Sequence, residues 1–207
     1  MTKTFTIAWA LVGSFTLYLS IARGDTKPTA EAKPAAAPAK AAEAKPPEGP
    51  PKPGDESKKL SFFIGTWSGT GKLEAGAMGP GSKELPSKAK QSCKWSLGNF
   101  WVACDISDTA GSMTWMGHLL IGWDVEAKSY RAVGADNMGT AFELNGKMEE
   151  KKFTLESARE SMMMGQPVKD RFTFDLTDPK AIKFSEERST KGGPWQLAES
   201  VTFKKGG

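Results

Sequence analysis

The chain of 207 residues carries 28 basic and 24 acidic side chains, with one histidine and two cysteines. The formal charge of the chain is +4, but the part from Gly54 onward is nearly neutral, because it has 21 basic and 20 acidic side chains. A domain with such evenly mixed charge lacks the excess of basic side chains that binds nucleic-acid phosphates, so we expect no nucleic-acid partner.

Residues 1–24 have the composition of a secretory signal peptide. Lys3 precedes an apolar run at 5–19, and small residues follow at positions 20, 22 and 24. This order predicts a signal peptide and a protein exported to the periplasm or secreted. The apolar run approaches the length of a membrane span, so an uncleaved anchor with the rest of the chain outside the membrane is the alternative. Such an anchor is the only membrane contact that we expect.

Residues 25–53 form a segment of different character. Of its 29 positions, nine are alanine, eight proline and five lysine, and none carries an aromatic side chain or an aliphatic one larger than alanine. This composition cannot bury enough apolar surface to offset the entropy of ordering, so we predict a disordered linker.

From Gly54 to Gly207 the pattern predicts one domain, with a short helical turn followed by strands. Leu60, Phe63 and Ile64 share a face of the helical turn. Alternating apolar and polar residues, separated by Gly-, Asn- and Pro-containing turns, then predict ten strands. These strands lie at about 63–73, 87–97, 100–107, 112–124, 129–137, 139–145, 151–158, 168–176, 181–189 and 195–204.

The regular spacing of these strands predicts an antiparallel meander. A ten-stranded meander would leave two unpaired edges, and closure into a barrel removes them. We therefore predict an all-β protein, an antiparallel up-and-down β-barrel of about ten strands. A barrel of more than about eight strands encloses more volume than its wall side chains fill, so an internal cavity is expected.

The two cysteines flank a predicted hairpin. Gly98-Asn99 stands midway between Cys93 and Cys104, and glycine at this position favours a two-residue type II′ turn. The resulting register places the cysteines opposite each other, on the same face as Trp95 and Leu97. In an exported protein we expect them to form a disulfide, with unbonded buried thiols as the alternative. Without a CxxC motif, a zinc or thioredoxin-like site is not indicated.

Two segments carry a resemblance to known families. IGTWSGTGK at 64–72 resembles the Gly-x-Trp first-strand motif of the calycins, which include lipocalins, fatty-acid-binding proteins and haem-binding nitrobindins. GWDVEAKSYRAVGADNMGTAFELNGK at 122–147, a Gly-x-Pro strand at 165–176 and the aromatic-Lys ending are similar to a bacterial family of lipocalin-like domains of unknown function, numbered 1579. The resemblance spans about 57–205. It implies a calycin-like barrel in proteins that are often exported, and it implies no established activity.

Inward-facing positions supply the candidate binding residues. The predicted cavity lining is Trp67, Trp95, Trp115, Trp123, Phe172, Glu186, Arg188 and Glu199. Asp170 also falls on an inward face, and one hairpin register sets it opposite Arg188. Because a buried charge is costly unless it is paired, these residues form either a structural ion pair near the rim or a polar cluster that orients a ligand head group. In the second interpretation Arg188 suits a carboxylate.

Three consecutive methionines occupy ESMMMGQP at 160–167, which is predicted to be a loop. We interpret Met162, Met163 and Met164 as an adaptable flap at the mouth of the cavity, with ordinary packing as the alternative. Thioether sulfurs also bind Cu(I), but three adjacent residues do not easily converge on one ion, so no metal is expected.

His118 falls on the outward face of its predicted strand, since Trp115 and Leu119 face inward. Nitrobindins ligate haem through a histidine of a late strand, whereas residues 119–207 contain none, so no cofactor is expected. The chain shows no catalytic motif. The leading hypothesis is a non-enzymatic protein that binds a lipid or another apolar or amphipathic small molecule. The alternatives are an interaction module with a side-chain-filled barrel, an enzyme that uses a cavity carboxylate such as Glu199, and a haem-binding protein similar to nitrobindins.

Overall fold

The computed structural model of the protein describes residues 52–206. The predicted signal peptide and positions 25–51 of the predicted linker lie outside the described residues. The helical elements are α1 (Asp55–Lys59) and a 3₁₀ turn (Leu60–Phe63). The strands are β1 (Gly65–Leu73), β2 (Leu85–Ser96), β3 (Trp101–Ala110), β4 (Met113–Asp124), β5 (Ser129–Asp136), β6 (Ala141–Glu149), β7 (Lys152–Ser157), β8 (Ser161–Met163), β9 (Gln166–Asp175), β10 (Ala181–Thr190) and β11 (Gln196–Lys205).

Ten of these strands form a closed antiparallel barrel. Consecutive strands pair from β1 to β7, β7 pairs with β9, β9 with β10, β10 with β11, and β11 returns to β1. The ring therefore has no open edge, and the predicted barrel with a preceding helical turn is confirmed. Within residues 52–206, no helix is both long enough and apolar enough to cross a membrane.

β8 is the strand that the sequence did not predict. The segment 160–167, predicted to be a loop, forms a hairpin in which Met163 lies opposite Gln166, with Met164 and Gly165 at positive φ in the turn. The pairing between β7 and β9 ends at Glu156, which leaves the first residues of β9 without a partner on that side. β8 supplies that partner, because unpaired backbone groups would otherwise need water or side chains.

The cysteine hairpin has the predicted register and a different turn. Cys93 lies opposite Cys104, their Cα atoms are 4.1 Å apart, and the two are joined by the predicted disulfide. Gly98 and Asn99 both have positive φ, at 67° and 69°, which is typical of a type I′ turn rather than the predicted type II′. The type I′ turn matches the strand twist, and asparagine tolerates positive φ. Leu97, expected on the inner face, also has positive φ and is 64% exposed.

The helical elements fill one end of the barrel, called the helix end below. Leu60 and Phe63 are fully buried, and the Phe63 ring lies 5.7 Å from Phe153 and 5.0 Å from Phe174. The Tyr130 hydroxyl donates a hydrogen bond of 2.6 Å to a carboxylate oxygen of Glu56, which fixes α1 to β5. Burying an aromatic ring such as Phe63 stabilises the fold by roughly 2–3 kcal/mol, so this packing anchors the helical elements in the barrel.

Toward the opposite end, called the open end, inward side chains become partly exposed. Along β9 the inward Phe174 is buried, whereas Phe172 is only half-buried, and along β10 the same change runs from Ile182 to Phe184. Because these side chains point into the barrel, their exposed area faces its interior. These inward side chains are therefore accessible to water in the open half of the barrel, and the space that they border is called the hollow below.

Candidate functional site

Five ionisable side chains meet inside the open end: Asp108 of β3, Asp170 of β9, Glu186 and Arg188 of β10, and Glu199 of β11. Strand register brings four of them together, because Arg188 lies opposite Asp170 and Glu186 lies opposite Glu199. We call these five residues the polar cluster.

Small residues on two intervening strands let Asp108 join the polar cluster. β1 and β2 lie between β3 and β11, and they present Gly71 and Ser87 toward the interior as an opposed pair. A Cβ atom at Gly71 would come within 1.9 Å of the Ser200 carbonyl oxygen, so only glycine allows β11 to approach so closely. With no side chain at Gly71 and a short one at Ser87, the Asp108 and Glu199 carboxyls come close enough to interact.

Arg188 is bound on several sides by the protein itself. Its Nε donates to Asp170 at 2.7 Å, one terminal nitrogen donates to Glu186, and the other donates to the Ala77 carbonyl oxygen at 3.0 Å. The side chains of Arg188, Asp170 and Glu186 are each less than one-fifth exposed. Two carboxylates therefore balance the guanidinium charge, and a ligand carboxylate would have to displace one of them. The predicted pairing of Arg188 with Asp170 is present.

Glu199 and Glu186 hold protons at unusually high pH. Burial, and after it a hydrogen bond with Asp108, raise the pKa of Glu199 to about 8. Burial also raises the pKa of Glu186 to about 7, against the opposing charge of Arg188. Glu199 is 7% exposed. At neutral pH, therefore, the Glu199 carboxyl is largely protonated and can donate a hydrogen bond to Asp108.

Three buried polar atoms near the polar cluster have no hydrogen-bond partner among residues 52–206: Ser87 Oγ, Gln91 Nε2 and Asp108 Oδ1. Ser87 is close enough to Glu199 to lower the pKa of that carboxyl, although the geometry falls short of a regular hydrogen bond. Ser87 and Gln91 are 2% and 3% exposed. Because buried polar groups in folded proteins are nearly always paired, these atoms are the ones that a polar group from outside the described chain could satisfy.

A cleft of about 330 Å³ lies at the mouth of the open end. Its walls include Gly79 in the loop between β1 and β2, Met163 and Met164 in the β8–β9 hairpin, and Arg188 of the polar cluster. The Met164 sulfur packs so closely on Gly79 that a Cβ atom there would lie 2.8 Å from it. Met162 does not line this cleft and is 70% exposed.

The aromatic candidates divide between the two halves of the barrel. Trp115 and Phe172 lie in the open half, opposite Asp108 and Glu186 respectively. The remaining three tryptophans, Trp67, Trp95 and Trp123, pack against the buried core of the helix end.

Sequence reasoning missed Asp108, Ser87 and Gln91. The third strand was predicted to end at position 107, whereas β3 continues to Ala110. Extending the alternation from Cys104 would have placed Asp108 on the inner face, since the two residues are four apart on one strand. Ser87 and Gln91 share the face of Cys93 in the same way.

Outside the barrel, His118 pairs with Asp105 at 2.7 Å and its side chain is 61% exposed. Its outward orientation agrees with the sequence analysis and places it away from the hollow. Among residues 52–206, no three histidine, cysteine, aspartate or glutamate side chains are arranged to hold a metal ion.

Comparison with known proteins identifies the family. The profile of a family described as "Protein of unknown function (DUF1579)" matches residues 52–205. The chain belongs to this family. Among solved structures, the DUF1579 domain is similar to Rv2717c from M. tuberculosis, with a TM-score of 0.53 and 12% identity over 75% of this chain and 100% of that one. The domain is also similar to an S-type phycobiliprotein lyase, CPES from Guillardia theta, with a TM-score of 0.46 and 10% identity over 75% of this chain and 99% of that one. No curated protein matches the chain.

Proposed function

We propose that this DUF1579 protein binds an apolar or amphipathic small molecule in the open half of its barrel. The observation that carries the proposal is the hollow itself, where inward aromatic side chains are partly exposed. Trp115 and Phe172 offer apolar surface for a ligand body, and the polar cluster offers contacts for its head. Barrels of this size with a partly empty interior commonly hold one small ligand.

The residues at the mouth of the barrel can adjust to ligands of different shape. Met163 and Met164 face the Gly-rich loop at 74–84 across the cleft. Methionine side chains adjust to different shapes because they are unbranched and polarisable. We assign these two residues to the entrance, with Met162 as an exposed neighbour.

The disulfide supports a location outside the cytoplasm. Cys93 and Cys104 are both buried and bonded, and disulfides persist in oxidising compartments. Together with the N-terminal sequence, this observation supports the proposal that the protein is exported and that residues 25–53 form a linker.

The test of ligand binding begins with the full chain. The protein is purified, denatured and extracted, and the extract is analysed by mass spectrometry for lipids and other amphiphiles. In parallel, Nile red, a neutral apolar dye, is added to emptied protein and displaced with dodecanol. We expect a co-purified amphiphile or saturable dye binding with one site per chain.

A matched pair of variants locates the site. Ile106 faces inward and is half-buried, whereas Val133 faces outward and is 41% exposed. Replacement of Ile106 by phenylalanine fills part of the hollow and should weaken dye binding, and Val133→Phe should not. Empty extracts with no dye binding, or loss of binding in Val133→Phe alone, would overturn the proposal.

The raised pKa of Glu199 supports a second candidate, an enzyme that transfers protons in the cavity. General acid–base catalysis uses a carboxyl whose pKa is close to the working pH, and burial gives Glu199 this property. An amphiphile recovered from the wild type should then be chemically altered after incubation, and Glu199→Gln should leave it unchanged. An unaltered ligand in both proteins would favour simple binding.

A further inference from the structure

The polar cluster carries more negative than positive charge. Four carboxyl groups face one guanidinium, and Arg188 is already held by Asp170 and Glu186. Among residues 52–206, no cationic side chain pairs with the remaining carboxyls, Asp108 and Glu199, and these two interact with each other instead. The interior of the open end therefore repels an anionic head group and attracts a cationic one.

The unpaired buried atoms have the chemistry of a binding site rather than of a closed core. Asp108 Oδ1 is an acceptor, Gln91 Nε2 is a donor, and the Ser87 hydroxyl can act as either. An ammonium group satisfies Asp108, Glu199 and Ser87. A neighbouring ligand oxygen satisfies Gln91, which an ammonium group alone does not.

We propose that the polar cluster recognises an amphiphile whose head carries a protonated amine next to a hydroxyl or carbonyl oxygen. The amine binds between Asp108 and Glu199 and replaces the proton of the Glu199 carboxyl, and the oxygen accepts a hydrogen bond from Gln91. The apolar tail occupies the hollow beside Trp115 and Phe172. This inference rests on the proposed function and adds the class of ligand.

Charge balance predicts that binding releases a proton. The ionisable groups that act on Glu199 are Asp108 from β3 and Glu186 from β10, and Glu186 in turn interacts with Arg188 and with Asp170 from β9. β1 and β2 present the uncharged Gly71 and Ser87. An alkyl amine arrives protonated at neutral pH, so the proton that leaves comes from Glu199. Affinity should therefore rise with pH up to about 8, where Glu199 loses its proton without help from the ligand.

The experiment compares four probes with the same twelve-carbon tail, used below the concentrations at which they aggregate. The probes are dodecanol, dodecanoate, dodecylamine and 2-aminododecan-1-ol, titrated into the full chain by calorimetry at pH 7. Repeating the amine titrations in phosphate and in Tris buffer gives the number of protons released. We expect dodecylamine to bind at least about tenfold more tightly than dodecanol, because a hydrogen bond to a charged group contributes about 1.5–3 kcal/mol. Dodecanoate should bind most weakly, and the amino alcohol most tightly.

Two variants test the assigned contacts. Glu199→Gln should weaken amine binding about tenfold and abolish proton release, while dodecanol binding changes less than about twofold. Gln91→Met should remove the advantage of the amino alcohol over the amine and leave the amine unaffected.

Each result has one meaning. Equal affinities for the four probes, tighter binding of dodecanoate than of dodecylamine, or amine binding that Glu199→Gln leaves intact would overturn the amine assignment while the hollow stands. Equal binding of amine and amino alcohol to the wild type would overturn the Gln91 contact. Failure of all four probes to bind would overturn the proposed function itself.

Discussion

Replacement of Glu199 by glutamine should remove much of the pH dependence of stability that this buried carboxyl imposes. Folding raises the pKa of Glu199 from 4.5 to about 8, chiefly because burial disfavours the charged form. A carboxyl whose pKa rises on folding stabilises the folded state while it is protonated. Its contribution is therefore complete below the unfolded pKa and is lost as the pH rises toward 8.

The size of the effect follows from the width of that window. Each pH unit between the unfolded and folded pKa values removes about 1.4 kcal/mol from the free energy of unfolding. From 4.5 to about 8, the upper bound is about 5 kcal/mol, and the interaction with Glu186 reduces the part that belongs to Glu199 alone. Glutamine stays neutral at every pH and can donate its amide hydrogen to Asp108. The variant should therefore be more stable than the wild type at pH 8.5.

Urea unfolding followed by tryptophan fluorescence from pH 5 to pH 8.5 measures this difference. With a slope of about 2 kcal/mol per molar urea, a loss of about 3 kcal/mol lowers the wild-type midpoint by about 1.5 M. Glu126→Gln changes an exposed carboxyl in the β4–β5 turn and should follow the wild type. Any slope that remains in Glu199→Gln comes from Glu186, whose pKa is also raised. Parallel curves for the wild type and Glu199→Gln would refute the account of this carboxyl.

Two further predictions concern the barrel wall. Replacing Cys93 and Cys104 together by serine should lower the free energy of unfolding by about 2–4 kcal/mol without abolishing ligand binding, and an unchanged melting temperature under non-reducing conditions would contradict a stabilising disulfide. Gly71→Ala should lower stability by about 2 kcal/mol or more, because its Cβ atom would lie 1.9 Å from the Ser200 carbonyl oxygen. Gly54→Ala, with no atom within 4 Å, is the matched control, and equal melting temperatures for the two variants would refute the close approach of β1 and β11.

The closed barrel could be predicted because its signals are local. Side-chain alternation sets the strands, and the position of Gly98-Asn99 midway between the cysteines sets the register of their hairpin. The pairing of Asp170 with Arg188 follows in the same way, since β9 and β10 are neighbours along the chain.

The features that the sequence did not predict depend on contacts between residues that are far apart along the chain. Asp108 and Glu199 belong to strands that are not paired, so no register rule places their carboxyls together. The sequence showed the apolar face of the helical turn. It did not show where the turn docks, and this position determines that Phe63 fills the helix end. β8 was missed because a three-residue strand is too short to show alternation, and a partner along β9 determines that it forms.

The charge of the expected ligand head group could not be predicted from the sequence either. The sequence indicated an arginine suited to a carboxylate, whereas in the folded chain two carboxylates and the Ala77 carbonyl already bind Arg188. The predicted set already held three carboxyls and one guanidinium, and Asp108 adds a fourth carboxyl that lies beside Glu199. For this reason the expected head group changes from an anion to a cation.

The most direct test of the central claim is to find where a bound alkyl chain lies. Protein with ¹³C-labelled isoleucine and valine methyl groups is mixed with dodecanol, and nuclear Overhauser effects between the alkyl protons and the methyl groups are recorded. A ligand inside the open half of the barrel predicts contacts to Ile106 and none to Val133 on the outer wall. Contacts to Val133 without contacts to Ile106 would place the ligand outside the barrel and contradict the account.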